Sequence, residues 1–414
     1  MAEINDGIRF PISLDQMDER LKEAQSLSIT PRLLFSASEI RALQQDLLFE
    51  SASLQWLITR WRTLHGLTTI EIQNQDDQLQ SLKKISDTLP GVVLGFLPDQ
   101  AIEKISRQTL ARYRDAFLKQ QLNWPDLDLQ DRAYLICVDT MPAKVGLPSL
   151  LYPDVEKRSV ADREIFGTLT DKLILSVTKE SNIRGAINLH RDRLTTILHE
   201  LFKNTHDHAR TAIDKTPLDL SLRGIYARYY PADELKAKTL TPSIEDFNLN
   251  QVELFARHFF ESMKPRHEGL RPKAPMTFLG MLEISIFDSG PGFAATYLKE
   301  NFEAASVQEQ FDAVLGCFRT GRSSTNDESR GYGLWKVLRD LKEMKGLIRV
   351  RTNRINVYRD FARIPDSWMS RTDIVAPEER LLDWKRGFTS KINEGYPDVQ
   401  GAHLSILIPL GDGL

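Results

Sequence analysis

The chain has 414 residues, of which 41% are hydrophobic and 27% are charged, and this composition excludes a protein that is disordered throughout. One ordinary core rarely serves so long a chain, so we expect two domains. The formal net charge of −3 excludes a general electrostatic attraction to nucleic acid or to an acidic membrane.

The start of the chain and the cysteines indicate a compartment. The first residues, MAEINDGIRF, carry acidic side chains where a signal peptide needs basic ones, and no apolar run reaches membrane-spanning length. Cys137 and Cys317 lie far apart and lack the spacing of a metal site, so we expect two free thiols in a reducing environment. The sequence therefore predicts a cytoplasmic protein without a membrane partner.

The first part of the chain has the pattern of a mixed α/β region. Helical spacing of apolar residues in LDQMDERLKEAQ and SEIRALQQDLL predicts two helices. We assign residues 1–155 to this region, and nothing in it identifies a chemistry. Strands are predicted in three short apolar or β-branched runs, GLTTIEIQ, GVVLGFLP and AYLICVDT.

A strongly amphipathic helix is predicted from Arg191 to about Thr211. Its apolar residues repeat at intervals of three and four, which marks the buried face. Glu200, Asn204 and Asp207 lie at i, i+4 and i+7, so they form one polar stripe along the helix. Such a stripe can hold a metal ion and a water, although an isolated Glu-Asn pair usually belongs to a solvated face.

Histidines within this helix raise zinc as an alternative. A zinc-protease helix needs a second histidine four residues after the first, but the residue four positions after His199 is Lys203. His206 is seven residues from His199, and no third ligand follows at a matching spacing. The pattern disfavours zinc.

The segment MLEISIFDSGPGF reads as a strand that runs directly into a glycine-rich turn. Aspartate and glycine after a strand often form nothing more than a turn. The functional interpretation is that Asp288 accepts a hydrogen bond from an exocyclic amino group such as that of adenine. Gly290 and Gly292 would then allow a close approach of the backbone.

A second glycine turn, in SRGYGLWKVLRDLKEMKG, opens a helix that we expect to end at Gly346. Gly331 and Gly333 would expose backbone N–H groups at the helix N-terminus, where phosphate is favoured. The preceding FRTGRSSTNDES supplies arginines and hydroxyls, which can close over phosphates as a lid.

The order of these segments resembles that of the GHKL, or Bergerat-fold, ATPase superfamily, which includes DNA gyrase and the sensor histidine kinases. The amphipathic helix corresponds to the N box of the family, the strand ending in DSGPG to its G1 box, and RGYGL to its G2 box. The matching residues are Glu200, Asn204 and Asp207 in the N box, Asp288, Gly290 and Gly292 in the G1 box, and Gly331, Gly333 and Leu334 in the G2 box.

The resemblance implies a fold for the rest of the chain. Residues 156–414 should form an α/β sandwich in which helices cover one face of a mixed sheet, with insertions near 231–279 and 359–398. The tail GAHLSILIPL is similar to the last strand of such a domain. The α/β region over residues 1–155 would then be a separate unit.

The resemblance also implies Mg-ATP as the ligand. Asp288 would select the base, Asn204 would bind Mg²⁺, and Glu200 would act as general base toward a water aimed at the γ-phosphate. Further nucleotide contacts are expected from Asp207, Gly290, Gly292, Arg322, Ser323, Ser324, Gly331, Tyr332, Gly333 and Leu334.

Two departures from the family pattern bear on these expectations. Ala402 stands where many relatives have threonine beside the adenine aspartate, which puts a water-mediated base contact in doubt. Trp335 replaces a further glycine of the sensor-kinase G2 pattern and crowds the phosphate turn.

In gyrase-like relatives a lysine contacts the terminal phosphate of the bound nucleotide. In this chain we expect such a Lys or Arg to come from the lid, from the N-terminal unit or from a partner.

The resulting functional prediction is a Mg-ATP-dependent ATPase that acts as a conformational switch on a protein partner or in a homodimer. The alternatives are a kinase that phosphorylates a partner protein and a non-hydrolysing nucleotide sensor. Autophosphorylation is disfavoured, because His65 and His190 are poor acceptor candidates. Contact with nucleic acid through the basic residues between Arg339 and Arg359 is also disfavoured, because the apolar alternation of LIRVR fits an ordinary solvated face.

Overall fold

A computed structural model describes most of the chain. The described residues are 8–25, 32–35, 39, 42–43, 45–63, 69–72, 87–97, 107–122, 131–239, 249–262, 277–319, 333–368, 380–389 and 391–412. No helix among them is both long and apolar enough to cross a membrane.

The described secondary structure up to residue 150 alternates strands and helices. In chain order the elements are β1 (Ile8–Arg9), α1 (Gln16–Gln25), β2 (Arg32–Phe35), α2 (Phe49–Thr63), β3 (Thr69–Ile72), α3 (Leu89–Leu94), α4 (Arg107–Leu122), β4 (Arg132–Val138) and α5 (Ala143–Gly146).

The remainder begins with three helices and ends in a long strand. Its elements are α6 (Arg163–Val177), α7 (Ser181–Asn188), α8 (Arg191–His208), β5 (Leu222–Pro231), α9 (Ala232–Thr239), α10 (Gln251–Ser262), β6 (Thr277–Asp288), α11 (Phe293–Leu298), α12 (Val307–Cys317), α13 (Gly333–Glu343), β7 (Leu347–Asn353), β8 (Ile355–Asp360), β9 (Leu382–Asp383) and β10 (Val399–Asp412).

A seven-stranded sheet forms the centre of the fold, in the order β4-β5-β6-β10-β7-β8-β9. The predicted α/β sandwich is confirmed, but every pairing in this sheet is antiparallel, whereas the resemblance implied a mixed sheet. The reason is the position of β10. β6 and β7 run in the same direction, and β10 pairs with both, so no two parallel strands become neighbours.

One face of this sheet is apolar and packs against α6 and α8. Ile284 and Ile286 alternate with polar residues along β6, and they share their face with Asp288 at the end of the strand. Leu404 and Ile406 continue the apolar surface on β10. This face therefore holds α8 in place, together with the polar stripe that α8 carries.

The opposite face is polar, and α2 covers it. Ser51 donates from α2 to Glu283 on β6 at 2.6 Å, and Gln55 donates to the carbonyl of Arg351 on β7 at 3.0 Å. Glu50 accepts a hydrogen bond of 2.8 Å from Tyr226 on β5. Helices thus cover both faces of the sheet, where the resemblance implied one.

The burial of this polar face corrects the interpretation of the basic cluster. Arg349 and Arg351 are each 2% exposed, and Arg359 is fully buried. Arg351 donates to Asp18 of α1 at 3.1 Å and lies over the ring of Tyr396. The prediction of a solvated face was wrong for these three arginines, because the N-terminal region and the last insertion cover them.

The N-terminal region is α/β, as expected, with a parallel sheet in the order β1-β2-β3. It is not separate from the rest. β4 lies before residue 155, yet it pairs with β5 at the edge of the seven-stranded sheet, and α2 packs against β10. Sequence alone identified β4 as a strand but not which sheet it joins, so a boundary at residue 155 does not divide the structure.

Most local predictions in this region are confirmed, with one error. LDQMDERLKEAQ contains α1, GLTTIEIQ contains β3, and AYLICVDT contains all of β4 except its first residue, Arg132. Seven of the eleven residues of SEIRALQQDLL are described, of which Glu39, Ala42, Leu43 and Gln45 are helical and 46–48 form a turn. The strand predicted in GVVLGFLP was wrong, because these residues contribute to helix α3. Thr88 caps this helix by accepting from the N–H of Gly91, and Pro90 occupies its first turn.

Candidate functional site

Helix α8 presents the predicted polar stripe. Leu198 and Leu201 are buried against the rest of the fold, whereas Glu200 and Asn204 are half-buried and Asp207 is exposed. The amphipathic helix is confirmed, although it ends at His208 and not at Thr211. The stripe therefore runs along the accessible side of a helix that is fixed by its apolar side.

The turn after β6 meets the C-terminal end of α8. A Cβ atom added to Gly290 would lie 2.6 Å from both the Cα and the Cβ atoms of Ala209. No side chain fits in that space. Gly290 is therefore required by the contact between the turn and the helix, a reason that differs from the predicted approach to a ligand.

Gly292 also has a packing reason. Its φ of +90° is strained for other residues, and an added Cβ would lie 2.6 Å from Oδ1 of Asn353 and 2.7 Å from Oγ1 of Thr352. Asn353 donates to the carbonyl of Pro291 at 2.9 Å, and Thr352 accepts from the N–H of Phe293 at 3.0 Å. Strand β7 thus holds the turn from the side opposite α8.

Asp288 is the buried acid at this turn, with 6% of its surface exposed. Its Oδ1 atom accepts from the N–H of Gly290 at 2.9 Å and from the N–H of Ala402 at 3.1 Å. No described residue donates to the Oδ2 atom. Burial raises the pKa of this carboxyl to about 6, while the two N–H donors act in the opposite direction.

This geometry makes Asp288 a directional acceptor. One oxygen is fixed by two backbone donors, so the other is held at a defined angle and remains available to a ligand N–H. Ala402 contributes its backbone N–H. An alanine side chain is compatible with that contact because the donor belongs to the main chain.

The N-terminus of α13 meets α8 at Glu200, about one helical turn before Asn204. A Cβ atom added to Gly333 would lie 2.6 Å from Oε2 of Glu200. Leu334, the next residue, is 8% exposed and packs into the core. Gly331, Tyr332, Arg322, Ser323 and Ser324 lie outside the described residues, so the lid prediction stays a prediction.

Glu200 lies close to basic side chains. His199 Nδ1 is 3.7 Å and Lys336 Nζ is 3.9 Å from its Oε1 atom. The pKa of Glu200 is lowered, first by the hydrogen bond from His199 and then by the charges of His199, Lys336 and Lys203, against the opposing effect of burial. The carboxylate is therefore ionised at neutral pH.

The two glycine-rich segments thus contact the same helix at separate points. Glu200, beside Gly333, and Ala209, beside Gly290, are nine residues apart, which is about 14 Å along a helix with a rise of roughly 1.5 Å per residue. Asn204 lies between them, and no described residue makes a hydrogen bond to its side chain. The two glycine-rich segments therefore meet α8 at two points along its length, on either side of Asn204 in the sequence.

Two histidines of α8, His199 and His206, pack against other residues of the fold. His206 Nδ1 lies 2.9 Å from the hydroxyl of Tyr152, and its pKa is lowered to about 4 by burial and by the nearby Arg210 and Arg223. The His199 ring meets Phe166 edge-on. Within the described ranges, no group of three or more His, Cys, Asp or Glu side chains is arranged to hold a metal ion.

Sequence reasoning missed two residues near Asp288. Gly401 has φ of +75°, and an added Cβ would collide with the carbonyl oxygen of Asp288. Gln400 donates through its side chain to the carbonyls of Ser289, at 2.9 Å, and of Gly290. The signal was the glycine at the start of the last strand, because a glycine inside a strand pattern marks a bulge or a close backbone contact.

Comparisons with known proteins do not extend this picture. No protein-family model matches the chain, and no similar protein was found among curated sequences or solved structures.

Proposed function

We propose that this protein binds Mg-ATP in the manner of a GHKL-type ATPase and uses the nucleotide as a conformational switch. The observation that carries the proposal is the contact of both glycine-rich segments with α8, Gly333 at Glu200 of the polar stripe and Gly290 at Ala209, just after the helix ends. A nucleotide is an elongated ligand with a base at one end and phosphates at the other. Its length suits two contact points separated along one helix.

The base end is supported by Asp288. Its Oδ2 atom is an acceptor without a partner among the described residues, whereas Oδ1 is already held by two N–H donors. The exocyclic amino group of adenine is a hydrogen-bond donor and could donate to Asp288 Oδ2. Guanine presents a carbonyl at the corresponding position, so the site would favour adenine.

The phosphate end is supported by the start of α13. A helix N-terminus presents unpaired N–H groups and a positive dipole end, which favour an anion. Lys336 adds a cation in the first turn of that helix. Asn204 fits a magnesium site because its half-buried amide offers a neutral oxygen; Mg²⁺ there would neutralise phosphate charge and keep several waters.

Glu200 would orient a water toward the terminal phosphate and receive its proton. A carboxylate whose pKa is lowered is a weak base, so hydrolysis at this site would be slow. The same observation favours a second candidate function, a nucleotide sensor without useful turnover. The remaining parts of the proposal are a protein partner or second copy of the chain that responds to the bound state, and a cytoplasmic location.

Two measurements on the purified protein test the proposal. Titration calorimetry with Mg²⁺ and a nonhydrolysable ATP analogue should give saturable binding, and Asp288→Asn should weaken it strongly. A phosphate-release assay should show slow turnover that Glu200→Gln abolishes while binding persists. Binding without release would support the sensor, and absence of binding would contradict the proposal as a whole.

A further inference from the structure

The last strand has an irregularity directly above the proposed base site. Between Val399 and Ala402 the register of β10 against β7 shifts, because Val399 pairs with Asn353 and Ala402 pairs with Thr352. Gln400 and Gly401 are therefore extra residues that bulge from the ladder. The bulge passes over Asp288, since an added Cβ on Gly401 would meet the Asp288 carbonyl.

Both N–H groups that hold Asp288 belong to peptide units whose carbonyls are also held. The N–H of Gly290 shares a peptide plane with the carbonyl of Ser289, which accepts from Nε2 of Gln400 at 2.9 Å. The N–H of Ala402 shares a plane with the carbonyl of Gly401, which accepts from Oγ1 of Thr352 at 3.1 Å. Because the N–H and C=O of a trans peptide point in opposite directions, fixing each carbonyl aims the N–H at Asp288.

Gln400 is itself held by the N-terminal helix α2. Its backbone N–H donates to Oγ1 of Thr59 at 2.9 Å, and its carbonyl accepts from Nε2 of Gln55 at 3.4 Å. The Thr59 hydroxyl in turn donates to the carbonyl of Gln55 at 2.7 Å. Gln55 and Thr59 are both buried, so water does not compete for these contacts.

Helix α2 is a firm support for this connection. Its residues from Phe49 to Trp61 are buried. Near its start, Glu50 accepts from Arg132 at 3.1 Å, and Ser51 donates to Glu283 at 2.6 Å. These bonds fix the helix to β4 and β6, so Thr59 and Gln55 reach the bulge from a fixed position.

We propose that Gln400 is a positioning residue for the nucleotide base, and that α2 completes the nucleotide site by holding Gln400 through Thr59 and Gln55. This inference rests on the proposed function and adds its regulation. A movement of α2 away from the sheet would release Gln400, loosen the peptide of Gly290 and misalign Asp288. By linkage, a bound nucleotide would favour the docked position of α2 to the same extent.

The experiment compares three threonine variants and one glutamine variant of the full chain. Thr59→Val removes the hydroxyl with little change of volume, and Thr59→Ser restores it. Gln400→Met removes the side-chain donors at similar length. Thr63→Val is the matched control, because Thr63 lies one turn further along α2 and its hydroxyl donates only to the carbonyl of Thr59 among its described contacts.

The first readout is affinity for ATP and for GTP, measured by titration calorimetry with Mg²⁺. Thr59→Val and Gln400→Met should each weaken ATP binding roughly five- to tenfold, the effect of one or two lost hydrogen bonds. GTP binding should change little, so the preference for adenine should narrow. Thr59→Ser and Thr63→Val should bind ATP like the wild type.

The second readout needs no nucleotide. Hydrogen exchange of the unliganded protein, followed by mass spectrometry, should be faster in the segment from Ser289 to Phe293 in Thr59→Val and Gln400→Met, and unchanged in Thr63→Val. If the wild type binds ATP but these two variants match the control in both readouts, the positioning role is overturned while the proposed function stands. If the wild type binds no ATP, the proposed function fails first, and the exchange result alone then decides whether α2 holds the turn.

Discussion

The backbone of Gly290 lies so close to Ala209 that a Cβ atom at residue 290 would be 2.6 Å from the Cα atom of Ala209. This contact joins the turn that carries Asp288 to the end of α8. The two segments meet through main-chain atoms, so a larger side chain at residue 290 could not be accommodated by rotating a neighbouring side chain. The contact therefore fixes the position of the proposed base site.

Gly290→Ala should therefore destabilise the protein by about 1–3 kcal/mol, the usual cost of overpacking, and should also weaken ATP binding. Urea denaturation measures the first effect and calorimetry the second. Gly185→Ala is the control. Gly185 lies within α7 with open space around it, so alanine there should stabilise the protein by about 0.5–1 kcal/mol. Equal stability of Gly290→Ala and the wild type would show that the turn can move away from α8.

Gly333→Ala should reduce the rate of ATP hydrolysis while leaving the stability of the protein nearly unchanged. Among the described residues, the atoms nearest to the added Cβ all belong to the flexible Glu200 side chain, so the free energy of unfolding should stay within about 1 kcal/mol of the wild type. The displaced Glu200 carboxylate would no longer orient a water toward the terminal phosphate. Phosphate release should fall about tenfold or more, with ATP affinity less affected. Retention of full turnover would remove Glu200 from the catalytic role.

Asp288→Asn should stabilise the protein and weaken ATP binding together. The folded-state pKa of Asp288 is about 6 against an ordinary 3.8, so its contribution to stability is fully present below 3.8 and is lost as pH rises through 6. This difference in pKa corresponds to about 3 kcal/mol in the free energy of unfolding.

Asp288→Asn should therefore raise the free energy of unfolding above that of the wild type. This increase should grow between pH 4 and pH 7 and level off above pH 7, as measured by urea denaturation across that range. The Asn amide would place a donor where the adenine amino group needs an acceptor. A gain that is independent of pH would contradict the burial of the ionised carboxylate.

His206 should lower the stability of the folded protein at acidic pH, whereas Asp288 lowers it as the pH rises. Its folded pKa is about 4 against an ordinary 6.5, so its contribution is present above 6.5 and is lost as pH falls through 4. His206→Gln should flatten the decline in thermal stability between pH 6.5 and pH 4, as measured by differential scanning calorimetry. An unchanged slope would mean that other groups cause the acid sensitivity.

The sequence predicted the elements that carry the proposed site because their signals are local. Apolar periodicity fixed the buried face of α8, and hence its polar stripe. The turn after β6 was marked by Gly290 and Gly292, whose geometry allows few other residues, and the start of α13 by Gly333. The last strand had a continuous apolar run.

What the sequence did not predict depends on distant contacts. Buried polar residues such as Arg351 and Glu283 look like solvated ones until α1 and α2 are placed over them. The helix at Leu89–Leu94 was mistaken for a strand, because an apolar run of that length has no periodicity and its cap at Thr88 was the deciding signal. The role of Gln400 follows from a bulge and from Thr59, which is 341 residues away in the sequence.

A crystal structure of the protein with Mg²⁺ and a nonhydrolysable ATP analogue would show the proposed site occupied. We expect the adenine amino group within hydrogen-bond distance of Asp288 Oδ2, Mg²⁺ on the side-chain oxygen of Asn204, and the terminal phosphate between Glu200 and the start of α13. A nucleotide bound elsewhere, or an adenine that makes no contact with Asp288, would contradict the proposed function.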